Sequence, residues 1–217
     1  MKELCLIYLF FSALTVGFSG AMMPGSLLTY TIQQSLKTGV RAGILISIGH
    51  ALLELGLIFL ILLGLGAALQ SDAAQIAIGL AGGALLIIMG VQMLTGAARN
   101  TVRIQTGDGQ AKAKNYKLVL SGALISAANP YFLLWWAVIG LGFIMQSYAT
   151  LGSAGVAVYY FGHITADFIW YVSISAVIAK TRHFIKEKPY RFLIGGLGGL
   201  LIYFGATFIA GAFSYFY

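Results

Sequence analysis

Long apolar runs separated by short polar breaks organise this chain. Six apolar segments stand out, at about 4–36, 43–69, 74–97, 118–146, 151–179 and 191–214. A bilayer-crossing helix needs roughly 20 apolar residues, so each run is long enough to span. The first and fourth are too long for one straight span. Pro24-Gly25 interrupts the first and Asn129-Pro130 the fourth. The pattern predicts an all-α membrane protein of six transmembrane helices, with helices 1 and 4 broken. Residues 98–117 form the one sizeable hydrophilic stretch, and its Gly107-Asp108-Gly109 and spaced lysines read as a flexible connection.

Two of the apolar runs carry the same ionisable phrase. Gly49-His50-Ala51-Leu52-Leu53-Glu54 returns as Gly162-His163-Ile164-Thr165-Ala166-Asp167, 113 positions later. Residues four apart share one helix face. Ionisable side chains are costly in hydrocarbon and default to function. A glycine-rich phrase also recurs, Ile78-Gly79…Gly82-Gly83 against Ile194-Gly195…Gly198-Gly199, and reads as a close helix-packing face. Each half holds three spans. Three is odd, so the second half enters the membrane upside down, which makes an inverted-topology repeat. The expected layout is a single transporter domain over 1–217, with repeat one at 1–97, a cytoplasmic loop at 98–117 and repeat two at 118–217.

Composition sharpens this picture. Hydrophobic residues make up 59% of 217 and charged residues 9%, which leaves no room for a soluble domain. The net charge of +7 could suggest nucleic acid. However, the basic residues sort onto alternate loops: Lys37 and Arg41, then Arg99, Arg103, Lys112, Lys114 and Lys117, then Lys180, Arg182, Lys186, Lys188 and Arg191. The positive-inside rule then puts both termini outside a cytoplasmic membrane, with lipid headgroups rather than nucleic acid as the partner. The apolar start is read as a retained first helix rather than a signal peptide. The lone Cys5 excludes an internal disulfide or a two-cysteine relay.

Candidate chemistry falls on the breaks and on the paired residues. Asn129 suits an N-cap and Pro130 a first helical position, so a half-helix can begin there with its positive end inward. Pro24, Gly25 and Ser26 offer the same device in the first segment, and Tyr131 follows the second break. Matched breaks in two halves point to a transport site near mid-membrane. A repaired proline kink is the structural alternative. His50, Glu54, His163 and Asp167 fit a proton relay or polar substrate contacts, a transition-metal site, or two self-neutralising pairs. They are expected to face the bundle interior. Trp135-Trp136 reads as packing or interfacial aromatics. Gly17-Phe18-Ser19-Gly20 matches the short phrase of intramembrane serine hydrolases, a pattern that arises easily among 28 glycines. No His-Glu-x-x-His phrase and no phosphate loop is present, and no cofactor is expected.

The Pro24-Gly25 break, Lys37-Thr38-Gly39-Val40-Arg41-Ala42-Gly43, the third span from Ile78 to Gly90, Asn129-Pro130 and Asp167 together resemble the lysine exporter (LysE/RhtB) family. The resemblance covers nearly the whole chain. It implies a proton-driven exporter of amino acids, with the family's breaks at Pro24 and Gly25 and at Asn129 and Pro130, and its fifth-helix acid at Asp167. Ser26 stands where the family usually has a second proline, and Tyr131 where it often has lysine. The expected function is export of small amino acids or related zwitterions. Divalent-metal export through the His/carboxylate pairs is the alternative, and a serine hydrolase a remote one. A homo-oligomeric state is left open.

Overall fold

A computed structural model describes residues 2–23, 25–65, 68, 71–101, 114–181, 184 and 187–213. Among them every regular element is helical. The first segment is α1 (Lys2–Ala21) and α2 (Ser26–Thr38), parted by a short break. Next come α3 (Val40–Leu60), which runs into a π-helical turn at Ile61–Leu65, and α4 (Asp72–Ala98). Most of the expected loop at 98–117 lies outside the described residues; further along, α5 (Asn115–Ala127) breaks before α6 (Pro130–Trp135), and a second π-helical turn (Trp136–Gly140) leads into α7 (Leu141–Thr181). The last helix is α8 (Glu187–Phe213).

Five helical runs are long and apolar enough to cross a membrane: Glu3–Ala21, Val40–Leu65, Asp72–Ala98, Tyr131–Thr181 and Lys188–Phe213. The fourth and fifth expected segments thus appear as one run of 51 residues. A straight helix that long would reach roughly 75 Å, far beyond a bilayer. The chain avoids this by doubling back at Gly152, whose φ of 62° lies in the left-handed region that favours glycine. On either side of the turn, Phe143 stacks on Tyr159 with centroids 5.8 Å apart, and Gly155 packs against the Ser147 carbonyl. Gly39, between α2 and α3, has nearly the same conformation (φ 68°, ψ −150°, against 62° and −146° at Gly152). These two glycines are also 113 positions apart, the spacing of the His/carboxylate phrase.

Small residues set how the helices cross. Gly17 of α1 packs on His163 and Ala166 of α7, while Gly162 of α7 packs on Phe10 and Ala13 of α1, so these stretches run parallel. In contrast, α4 and α8 run antiparallel. A Cβ at Gly83 would lie 2.6 Å from the Gly205 carbonyl oxygen and one at Gly205 2.6 Å from that of Gly83; Gly90 and Gly198 approach one another in the same way. In lipid such contact supplies dispersion energy that water-driven burial cannot. Two apolar clusters complete the interior. One is built around Trp136, Ile144 and Tyr159, the other around Leu36, Ile46, Leu118 and Ile194.

A contrast within α3 tests this packing. A Cβ at Gly49 would collide with the Val119 carbonyl of α5, whereas one at Gly56 meets nothing within 4 Å. Gly49→Ala is expected to lower the thermal midpoint in detergent, by an overpacking cost of about 1–3 kcal/mol. Gly56→Ala should leave it unchanged or raise it, since alanine is the better helix former.

Candidate functional site

The two breaks meet. Gly25 precedes α2, and a Cβ there would lie 3.3 Å from Asn129 Nδ2. Asn129 caps α6: its Oδ1 accepts from the Tyr131 amide at 3.1 Å, and Pro130 begins the helix. Pro24 lies outside the described residues, and so does the Pro130 side chain. Between the breaks and α3 and α7 lies a cavity of about 50 Å³, room for a few water molecules. Gly25, Asn129 and Tyr131 line it, together with His50, Glu54, His163 and Asp167. Ser26 is buried but does not line it; Leu27 and Leu28 do, because α2 turns Ser26 away.

His50, Glu54, His163 and Asp167 are all buried, at 6%, 1%, 2% and 2% exposure. The antiparallel approach of α3 and α7 crosses the two phrases. His50 Nε2 is 3.2 Å from Glu54 Oε1 on its own helix and 3.7 Å from Asp167 Oδ1 on the other. His163 Nε2 is 3.2 Å from Glu54 Oε1 and 3.6 Å from Asp167 Oδ2. Neither histidine therefore meets only its own carboxylate, and Glu54 is shared. The Trp136 indole N–H adds a third donor to Glu54 Oε1, at 3.2 Å.

Hydrogen-bond bookkeeping assigns the ring nitrogens. Ser126 Oγ donates to the Gly122 carbonyl at 2.7 Å, so its only role toward His50 Nδ1, also at 2.7 Å, is acceptor. His50 Nδ1 then carries a proton, while its Nε2 faces Glu54 Oε1 at 3.2 Å. This tautomer is inferred from the network. His163 Nδ1 has no partner; it packs against Gly17, with 3.0 Å to a Cβ built there. Rings enclose both imidazoles: Trp135 is 4.8 Å and Tyr159 6.0 Å from His163, and Phe132 is 5.5 Å from His50.

Three of the four residues could also form a metal-sized group. His50, Glu54 and Asp167 each offer a ligand atom, all within 4.8 Å of one another. His163 is not in that group, so the four do not form one sphere. The nitrogen–oxygen separations of 3.2 and 3.7 Å at His50 bracket the roughly 3.4 Å edge of a tetrahedral site with bonds of about 2.0–2.2 Å.

The tryptophans pack in the buried core, as expected, and take a further role as well. Trp135 and Trp136 are buried cavity walls: Trp135 Nε1 donates to Ser19 Oγ at 3.2 Å and Trp136 reaches Glu54. Ser126, Phe132 and Tyr171 are further lining residues that sequence reasoning missed. Trp136 lies seven residues after Asn129, two helical turns, a spacing that could have singled it out. The hydrolase pattern gains nothing here. The Ser19 hydroxyl donates to the Val16 carbonyl at 2.6 Å and accepts from Trp135, with no histidine among these partners.

Comparison with known proteins identifies the family. The family model of the LysE type translocators matches residues 18–211. A relative, the chemotactic transduction protein ChpE of Pseudomonas aeruginosa, is 25% identical over 197 residues, covering 91% of this chain and 95% of its own. No solved structure matches.

Proposed function

Because the chain belongs to the LysE family of translocators, multi-pass membrane transporters rather than enzymes, we propose that it exports small amino acids or related zwitterions, driven by protons. The observation that carries the reading is the cavity itself, where two helix breaks and four ionisable side chains from α3 and α7 meet. The substrate carboxylate would meet the amides at the start of α2 and Asn129, and its ammonium Glu54 and Asp167. Proton exchange at Glu54 would change how tightly α3 holds α7 and so bias one access state.

We read the halves as inverted repeats within one domain in the cytoplasmic membrane. The 113-residue spacing shared by the His/carboxylate phrase and the two turn glycines supports this, as does the reciprocal crossing of α4 and α8. With both termini outside, a cysteine at Gly109 in a Cys5→Ser background should resist a membrane-impermeant thiol reagent in intact cells and react after permeabilisation. Labelling from outside would contradict this topology.

The group formed by His50, Glu54 and Asp167 favours a second reading, divalent-metal export. Growth separates the two. Under the amino-acid reading, expression protects cells fed growth-inhibiting amino acids or dipeptides and gives no resistance to zinc, cadmium or manganese. Metal resistance alone would establish the second.

A further inference from the structure

The polar atoms of the cavity are unequally spent. Both Nε2 atoms face carboxylates, His50 Nδ1 is used by Ser126, and His163 Nδ1 packs against α1 at Gly17. The Trp136 indole N–H is used by Glu54, and that of Trp135 by Ser19. On the acceptor side, Glu54 Oε2 and Asp167 Oδ2 are buried without a hydrogen-bond partner, Asp167 Oδ2 having only the 3.6 Å ion-pair contact to His163 Nε2. No lysine or arginine is among the described residues that line the cavity. Apart from His163 Nδ1, which is also without a hydrogen-bond partner, the unspent charged chemistry is acceptor-only, and a buried acceptor left unmade is costly. Around it stand Tyr131, Phe132, Trp135, Trp136, Tyr171 and Phe204, rings whose faces attract a cation and whose bodies pack apolar groups.

We propose that the cavity recognises its substrate chiefly by a protonated amine on an apolar or aromatic body, and that a free carboxylate is dispensable for binding. The proposal rests on the export reading and deepens it. An ammonium has three donors and can bond to the carboxylates of Glu54 and Asp167, which both line the cavity. A carboxylate finds only neutral donors, backbone amides near Gly25 and the Asn129 amide, whose bonds are roughly half as strong as charge-assisted ones. Amino-acid amides and simple amines are thus predicted ligands alongside amino acids.

The test uses the purified full chain in lipid nanodiscs at neutral pH. Tryptophan emission reports binding, because two of the three tryptophans line the cavity. The probes are phenylethylamine, phenylalanine amide, phenylalanine and N-acetylphenylalanine, the last lacking the ammonium. The amine and the amide should bind at least about tenfold tighter than N-acetylphenylalanine, a difference of about 1.4 kcal/mol. Phenylalanine should bind no tighter than its amide. Asp167→Asn should weaken the amine and the amide at least about tenfold while their binding to Glu54 keeps a residual signal. Equal binding of N-acetylphenylalanine, a tenfold preference for phenylalanine over its amide, or no binding of either amine would each overturn the proposal. Failure here with amino-acid protection intact in cells would leave the export reading standing, whereas loss of that protection would remove both.

Discussion

A Glu54→Gln variant should lose proton-driven export by about 100-fold or more while remaining folded. Glu54 Oε1 receives the Trp136 indole N–H and faces both Nε2 atoms at 3.2 Å, so one carboxylate joins α3, α6 and its following turn, and α7. Hydrogen bonds to a charged partner contribute about 1.5–3 kcal/mol each. Losing the charge-assisted part of two of them corresponds to about two orders of magnitude in a population or rate. Glutamine keeps the shape and one acceptor oxygen, so Trp136 retains a partner and the fold should hold. Gel-filtration behaviour and thermal midpoint check the fold, and flux under an imposed proton gradient checks the function. Gradient-responsive export by the variant would remove Glu54 as a coupling residue and direct attention to Asp167.

Asn129→Leu should lower export at least about tenfold with only about 1 kcal/mol of lost stability, the usual worth of an N-cap. The side chain does two jobs: its oxygen caps α6 through the Tyr131 amide, and its nitrogen lies against Gly25 across the junction of the breaks. Leucine removes the cap and puts a branched alkyl group where the two breaks converge, on the wall of a cavity of only about 50 Å³. Loss of transport well beyond loss of stability is the signature of a side chain aimed at substrate. Normal export by this variant would sink the half-helix site.

The parts of this protein that depend on local chain chemistry were readable from its sequence. Proline and glycine inside apolar runs gave the breaks before Ser26 and after Ala127, and Asn129 capped its helix as its residue type demands. The His/carboxylate spacing gave two buried pairs on α3 and α7. How those pairs combine was not readable, because it depends on the rotation of one helix against another. Sharing of Glu54 by both histidines follows from the close approach of α3 to α7, as where Gly43 packs on Tyr171 and Ser175, and sequence spacing within one helix does not encode it. The π-helical turn at Trp136–Gly140 was likewise invisible. A Cβ at Gly140 would lie 2.9 Å from a Trp136 ring atom, so the absence of a side chain there lets the indole fold down over its own helix and swing its N–H to Glu54. Ser26 is absent from the cavity wall because its neighbours, not its own chemistry, decide which way α2 faces.

Under the proposed function, protons drive small amine-bearing solutes outward through the cavity between the two breaks. Its most direct test is flux from proteoliposomes loaded with a mixture of amino acids and with manganese and zinc, with a proton gradient imposed across the bilayer and the released species identified by mass. Gradient-dependent release of one or more amino acids by the native protein is expected, abolished in Glu54→Gln, with the metals retained. Release of metal with the amino acids retained would contradict it.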